Sequence, residues 1–197
     1  MLFYKVFYYR IVNIQHNGLS NVFKYKLFFY LMLGLLAFLG LIFGFIVAYA
    51  SKEELISGKK YLDFTEMFIL VLLTVVTLFF NSSYSILIGV VIGFLLHAFL
   101  VKNIYFYFGL LLTVNSFLNF NILLFYIFAI FLFGLAYGRR LVNIKKTEFL
   151  SKVLTMFIGF ILPFFLFFIR EAIFKYDIIF NGIFIGASLH VIGKNYR

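Results

Sequence analysis

The residues best suited to chemistry in this chain are two histidines, each closing the same nine-residue phrase. GVVIGFLLH runs from Gly89 to His97 and GIFIGASLH from Gly182 to His190, and both read G-x-x-I-G-x-x-L-H. The chain holds only 3 histidines, so this match outweighs the isoleucine and leucine matches around it. Imidazole changes charge near neutral pH and also ligates metals and haem iron. His97 and His190 therefore suggest a proton-coupled gate, a bis-histidine haem or half of a metal site. The alternative is hydrogen-bonded packing, or a place near the lipid headgroups. Two imidazoles with no nearby acid do not make a tetrahedral zinc site.

Other reactive arrangements are missing. Gly-x-Ser-x-Gly, His-Glu-x-x-His, a P-loop and Gly-x-Gly-x-x-Gly do not occur. Ser188 lies two residues before His190, and positions two apart on a helix do not face each other. No catalytic residue is assigned, and enzyme function has no motif to support it. The sequence has 0 cysteines, which rules out disulfide and thiolate chemistry in these residues.

The histidines must be positioned by apolar helices. Hydrophobic residues make up 65% of the chain, aromatic residues 23% and charged residues 12%; mean hydropathy is +1.10. A water-soluble fold needs apolar residues only on its inward faces, so this composition predicts an all-α, polytopic membrane protein. Seven hydrophobic segments can be marked: Leu27–Ala50, Leu62–Phe80, Ser85–Val101, Ile104–Phe120, Ile122–Tyr137, Val153–Ile169 and Ile178–Gly193. Most sit near the lower length limit for a crossing. Ile104–Phe120 is the weakest, because it carries Thr113, Asn115, Ser116 and Asn119, and a re-entrant path would suit it too.

The histidine phrase belongs to a longer internal repeat. Lys-Asn follows each copy, at Lys102–Asn103 and Lys194–Asn195. Met-Phe-Ile opens a preceding segment at Met67 and again at Met156, and Leu-x-x-x-Lys-Lys precedes each of those at Leu55 and Leu141. Phe43-Gly44 with Ala48-Tyr49 parallels Phe133-Gly134 with Ala136-Tyr137. The shared order predicts two three-helix units, residues 27–103 and 122–197, joined by a linker segment at 104–121. If the linker crosses, the units are parallel and there are seven crossings; if not, they are inverted and there are six. The seven-crossing, 3+1+3 organisation resembles the helix arrangement of the seven-helix sugar transporters of the SWEET and PQ-loop group. The Pro-Gln signature of that group is absent here, so the resemblance covers arrangement alone.

Four Gly-x-x-x-Gly pairs mark the units at matching places: Gly40/Gly44, Gly89/Gly93, Gly134/Gly138 and Gly182/Gly186. This spacing puts small residues on one helix face, where backbones can approach closely; the functional alternative is space cleared beside a ligand. His97 and His190 extend two of these faces by one turn. In a parallel arrangement, they would meet near the pseudo-twofold axis.

The net charge of +10 does not point to nucleic acid, since the basic residues lie between apolar segments. They orient the chain and meet lipid headgroups, which places it in the cell membrane. Lysine and arginine tallies tie between six and seven crossings. Either way, they put the Arg139–Lys152 loop and the C-terminus in the cytoplasm. Residues 1–26 are basic and aromatic without an acid, which fits an interfacial segment or an over-extended gene start with initiation at Val22. No cleavable signal peptide is evident. Glu53, Glu54, Asp63 and Glu66 cluster with lysines and read as a solvated face, unless the second helix begins early and carries Asp63 and Glu66 into the membrane. Pro163 predicts a kink in the sixth segment.

Three functions follow. The first is a small-solute transporter or the membrane subunit of a transport system. The second is a bis-histidine haem electron carrier using His97 and His190. The third is an assembly protein whose glycine faces dock a membrane partner or a second copy of the chain.

Overall fold

The computed structural model describes residues 28–53, 55–81, 83–116, 120–142 and 144–195, so the segment 1–26 lies outside the described residues. Among the described residues there are seven helices and no strand. They are α1 (Phe28–Ala50), α2 (Leu55–Phe80), α3 (Ser85–Phe99), α4 (Ile104–Asn115), α5 (Phe120–Tyr137), α6 (Lys146–Ile161) and α7 (Arg170–Asn195). The chain is an all-α polytopic membrane protein. Helices satisfy every interior backbone group without water, which is what a lipid interior requires. Five stretches are long and apolar enough to cross a membrane: Phe28–Ala50, Gly58–Phe80, Asn121–Leu141, Glu148–Ile169 and Lys175–Lys194. Ser85–Phe99 and Ile104–Asn115 are shorter. Large apolar side chains such as Phe79, Phe99 and Phe168 point outward, an arrangement stable against lipid and costly against water.

The weak linker segment becomes the centre of the bundle. In α4 every residue but Phe106 is buried. Its 12 residues rise about 18 Å, well short of a hydrocarbon layer of about 30 Å. Enclosure by other helices explains its length and polarity, because it has little lipid to face. The helix ends at Asn115, with Ser116 as its cap, earlier than the Phe120 boundary expected from hydropathy, and Phe120 opens α5. Asn103 caps its start: Oδ1 accepts from the Tyr105 N–H at 3.0 Å, while Nδ2 donates to the Thr155 carbonyl on α6 at 3.0 Å. One side chain thus starts α4 and ties it to α6.

Aromatic rings fill the space around α4. Phe108 meets Phe133 edge-on with centroids 4.9 Å apart. Tyr105 meets Phe38 at 5.5 Å, and Phe38 meets Phe157 at 5.2 Å. At Pro163, which lacks a backbone donor, α6 gives way to a 3-10 segment, Leu162–Ile169. α7 is interrupted at Tyr176 (φ −124°, ψ 20°), at the start of the span that carries Gly182, Gly186 and His190.

Candidate functional site

Helices α3 and α7 run side by side in parallel, with the glycines and the histidine of one facing those of the other. A Cβ added at Gly89 would strike the Ile179 carbonyl and Gly182, and one at Gly93 would strike the Ile183 backbone. Reciprocally, a Cβ at Gly182 would strike Ile86 and Gly89, and one at Gly186 would strike Val90 and Phe94. The seam ends where His97 Nδ1 and His190 Nδ1 lie 2.8 Å apart, a separation of 93 positions in sequence. A constant offset along both strands of a seam requires parallel helices. Helices α1 and α5 form a second parallel seam. Gly134 there backs onto Gly40 and Leu41, and Gly138 onto Gly44 and Phe45. The four glycine faces are thus filled from within the chain, rather than left open to a partner helix.

His97 is buried and His190 is partly buried. The His97 ring lies 5.6 Å from Tyr107, and Phe94 packs edge-on to His190 at 4.9 Å. Two nitrogens on opposite sides of one metal ion stand about 4 Å apart, twice a metal–nitrogen bond of about 2 Å. A directly hydrogen-bonded pair leaves no such gap, and no porphyrin fits between these rings as they stand.

A charged cluster joins α2 to the end of α5. Arg139 and Arg140 sit on a 3-10 turn, Gly138–Leu141, that continues α5. Arg139 donates to Asp63, to Glu66 Oε1 at 3.3 Å and to the Lys59 carbonyl at 2.9 Å. Arg140 also pairs with Glu66, its Nε reaching Oε1 at 3.2 Å, and its guanidinium stands over the Tyr137 ring at 5.1 Å. Glu66 is only 2% exposed and Arg139 8%. For Glu66 this corrects the expectation of a solvated face; Glu53 is exposed, and Glu54 lies outside the described residues. Helix α2 begins at Leu55 and carries Glu66 inward, where the two arginines offset the cost of desolvating it, while Asp63 stays half-exposed at the rim of the cluster. Local sequence gives no sign of those partners, because they lie more than seventy positions away.

Just past the other end of α2, Asn81 joins two further buried asparagines, one on α4 and one on α7. Asn115 Nδ2 on α4 donates to Asn181 Oδ1 on α7 at 2.9 Å, and Asn181 Nδ2 donates to Asn81 Oδ1 at 3.0 Å. Thr77 Oγ1 stands 3.1 Å from the Tyr126 hydroxyl on α5. A buried amide that loses its partner pays its full desolvation cost, about 1–3 kcal/mol. Asn181→Ala is therefore expected to lower stability by that amount, read as the melting midpoint of the purified protein in one fixed detergent. An unchanged midpoint would show that this amide chain does not hold the helices.

Glu66, Thr74, Thr77 and Asn81 are all buried. With Asp63 before them, they recur at three- and four-residue steps, except for one longer interval occupied by the buried Leu70 and Leu73. One face of α2 is thus polar towards both ends and packed inward. That periodicity was available in the sequence as a 3.6-residue pattern of polar residues within an apolar segment. Locally, Asp63 and Glu66 belong to a cluster of acids and lysines, and that cluster masks the pattern.

At the end shared by His97 and Arg139, a cleft of about 880 Å³ opens between the α3–α4 turn (Lys102, Asn103) and α6 (Glu148, Ser151, Lys152, Thr155). Tyr137, beside the arginine cluster, also lines it. The buried Tyr105 hydroxyl, Arg139 Nε and Ser188 hydroxyl have no hydrogen-bond partner among the described residues. No three metal-ligating side chains converge among those residues.

Comparison of the chain with protein-family models, with curated proteins and with solved structures finds no match.

Proposed function

We propose that this chain is a small-solute transporter, or the membrane subunit of a transport system. In this reading it is built from two parallel three-helix units, α1–α3 and α5–α7, around the linker helix α4. The observation that carries the reading is the inward polar face of α2, formed by Glu66, Thr74 and Thr77 and continued by Asn81 just past its end. Polar and ionisable groups are expensive inside a membrane and mark solute or ion pathways there. The two seams, α1 against α5 and α3 against α7, pair helices that occupy the same place in each unit. That pairing supports a pseudo-twofold axis along the membrane normal, with solute moving as the units rock about it. The cleft beside Lys102, Asn103 and Lys152 supplies a polar mouth suited to a small hydrophilic solute. Positive charge favours the cytoplasmic side for this end, for the Arg139–Lys152 connection and for the C-terminus.

The lack of cysteine in the sequence allows a direct test. Single cysteines at Thr74 and Thr77 would be exposed to a membrane-impermeant thiosulfonate, with Leu78→Cys on the outward face as the reference. Proteoliposomes would be run in counterflow with a panel of sugars, amino acids and carboxylates. At least one solute is expected to exchange, and the two inward cysteines are expected to react and block exchange. Counterflow absent for every solute, or inward cysteines as inert as Leu78→Cys, would overturn the reading.

A further inference from the structure

We infer that His97 and His190 together form a binding site for one proton, and that loading this site is coupled to closure of the α3/α7 seam. The coupling rests on the transport reading, while the proton site itself does not. A hydrogen bond between two Nδ1 atoms at 2.8 Å forces asymmetry on the rings. One ring carries its proton on Nδ1 and donates, and the other presents a bare Nδ1 and carries its proton on Nε2. Only the donor ring then has a free lone pair, at Nε2. A hydronium ion can pass its proton to that nitrogen and leave as water. The product is an imidazolium whose Nδ1–H still points at a neutral acceptor.

The first proton therefore keeps the contact and makes it charge-assisted, which shortens and strengthens such bonds. A second proton would have to occupy the acceptor's Nδ1. Two N–H groups would then face each other on two cations, and the bond would be lost. Burial and the positive charge of Lys102 from the α3–α4 turn and Lys194 from α7 weigh against any proton here, Tyr107 from α4 adds no negative charge, and the second proton must in addition be placed beside an existing imidazolium. The site thus holds one excess proton and resists two. His190 is the more exposed of the two rings.

The position of the pair makes this proton consequential. The imidazoles terminate the glycine seam, so parting α3 from α7 pulls the neutral acceptor away from the imidazolium. Release of the proton then accompanies opening, and loading accompanies closure. Such coupling is reciprocal, because a proton that favours the closed seam binds the closed seam more tightly. The chemistry needs only water as donor and acceptor.

Two measurements test the site. In the full chain with histidine labelled at both ring nitrogens, in nanodiscs and in a His16→Asn background, nitrogen NMR should show one Nδ1–H and one Nε2–H tautomer. The pair should take up its two protons in clearly separated steps, while His190→Gln leaves His97 titrating in one step. Rings that titrate together in one step, as two independent imidazoles would, overturn the proton site. In proteoliposomes, His97→Gln and His190→Gln should keep solute counterflow but lose about tenfold of pH-gradient-driven accumulation, within the usual range of site-to-site coupling. Absence of counterflow in the unmodified chain would count against transport alone. Full gradient-driven accumulation in both variants, with counterflow intact, would overturn the coupling.

Discussion

Replacing Arg139 by Ala is expected to cost about 3–5 kcal/mol of stability, the usual penalty for removing one partner of a buried ion pair. Arg139 is buried against Asp63 and Glu66 and also donates to the Lys59 carbonyl. Its removal leaves Glu66, itself 2% exposed, facing Arg140 alone at the edge of the apolar interior. Arg140 is the more exposed of the two, so Arg140→Ala should cost less. The double variant Arg139→Met with Glu66→Gln removes both charges together and should fall well short of the sum of the two single losses. Non-additivity of this kind measures the pair directly. Melting of each variant in one detergent, followed by the monodisperse fraction after heating, gives the comparison. Additive losses would mean that the cluster is a set of independent surface contacts.

Gly93→Leu should have an effect at least as large. A Cβ at this position already meets the Ile183 backbone, which cannot rotate aside as a side chain can. Overpacking typically costs about 1–3 kcal/mol and more where backbone must move, so the leucine variant is expected to yield no monodisperse protein. Gly93→Ala grades the same collision and should lower the melting midpoint without abolishing folding. Gly58→Ala is the control, because nothing lies near that position and helix propensity favours alanine there. If Gly93→Ala melts with the unmodified chain, then α3 and α7 are not in backbone contact.

These two positions illustrate what was readable from sequence and what was not. The four glycine pairs stand out because glycine is conspicuous among large apolar residues, and their four-residue spacing defines a face without any structure. Which face meets which is a different question. Gly89 could have packed on Gly40 or on a partner chain by the same local rule. The contact with Gly182 follows from how seven helices share one enclosed volume. The histidines follow the same logic. Their repetition was legible, and their separation of 2.8 Å required the tertiary fold.

The acidic residues show the opposite case. Glu66 reads locally as one of several acids among lysines, and its burial depends on Arg139 and Arg140 arriving from α5. Buried charge is affordable only when paired, and pairing across such a sequence distance leaves no local trace. The linker depends on distant partners in the same way. Thr113 and Asn115 weakened its hydropathy, yet Thr113 satisfies itself on the Gly109 carbonyl and Asn115 reaches Asn181. A polar residue lowers the prospects of a helix facing lipid and has no such effect on one surrounded by protein.

The sequence by itself determined membrane residence, the all-α class and the seven apolar segments, because hydropathy and backbone hydrogen bonding act residue by residue. It also displayed the duplicated phrase with its glycines and histidines, since a repeat is a property of the string. Only the tertiary structure decided that α4 lies at the centre, that the glycine faces close on each other and that Glu66 is neutralised by two arginines. It alone also set the two imidazoles within hydrogen-bonding distance. Those outcomes depend on close packing between segments far apart in the chain, where a shift of a few ångströms decides whether a polar group is paired or stranded.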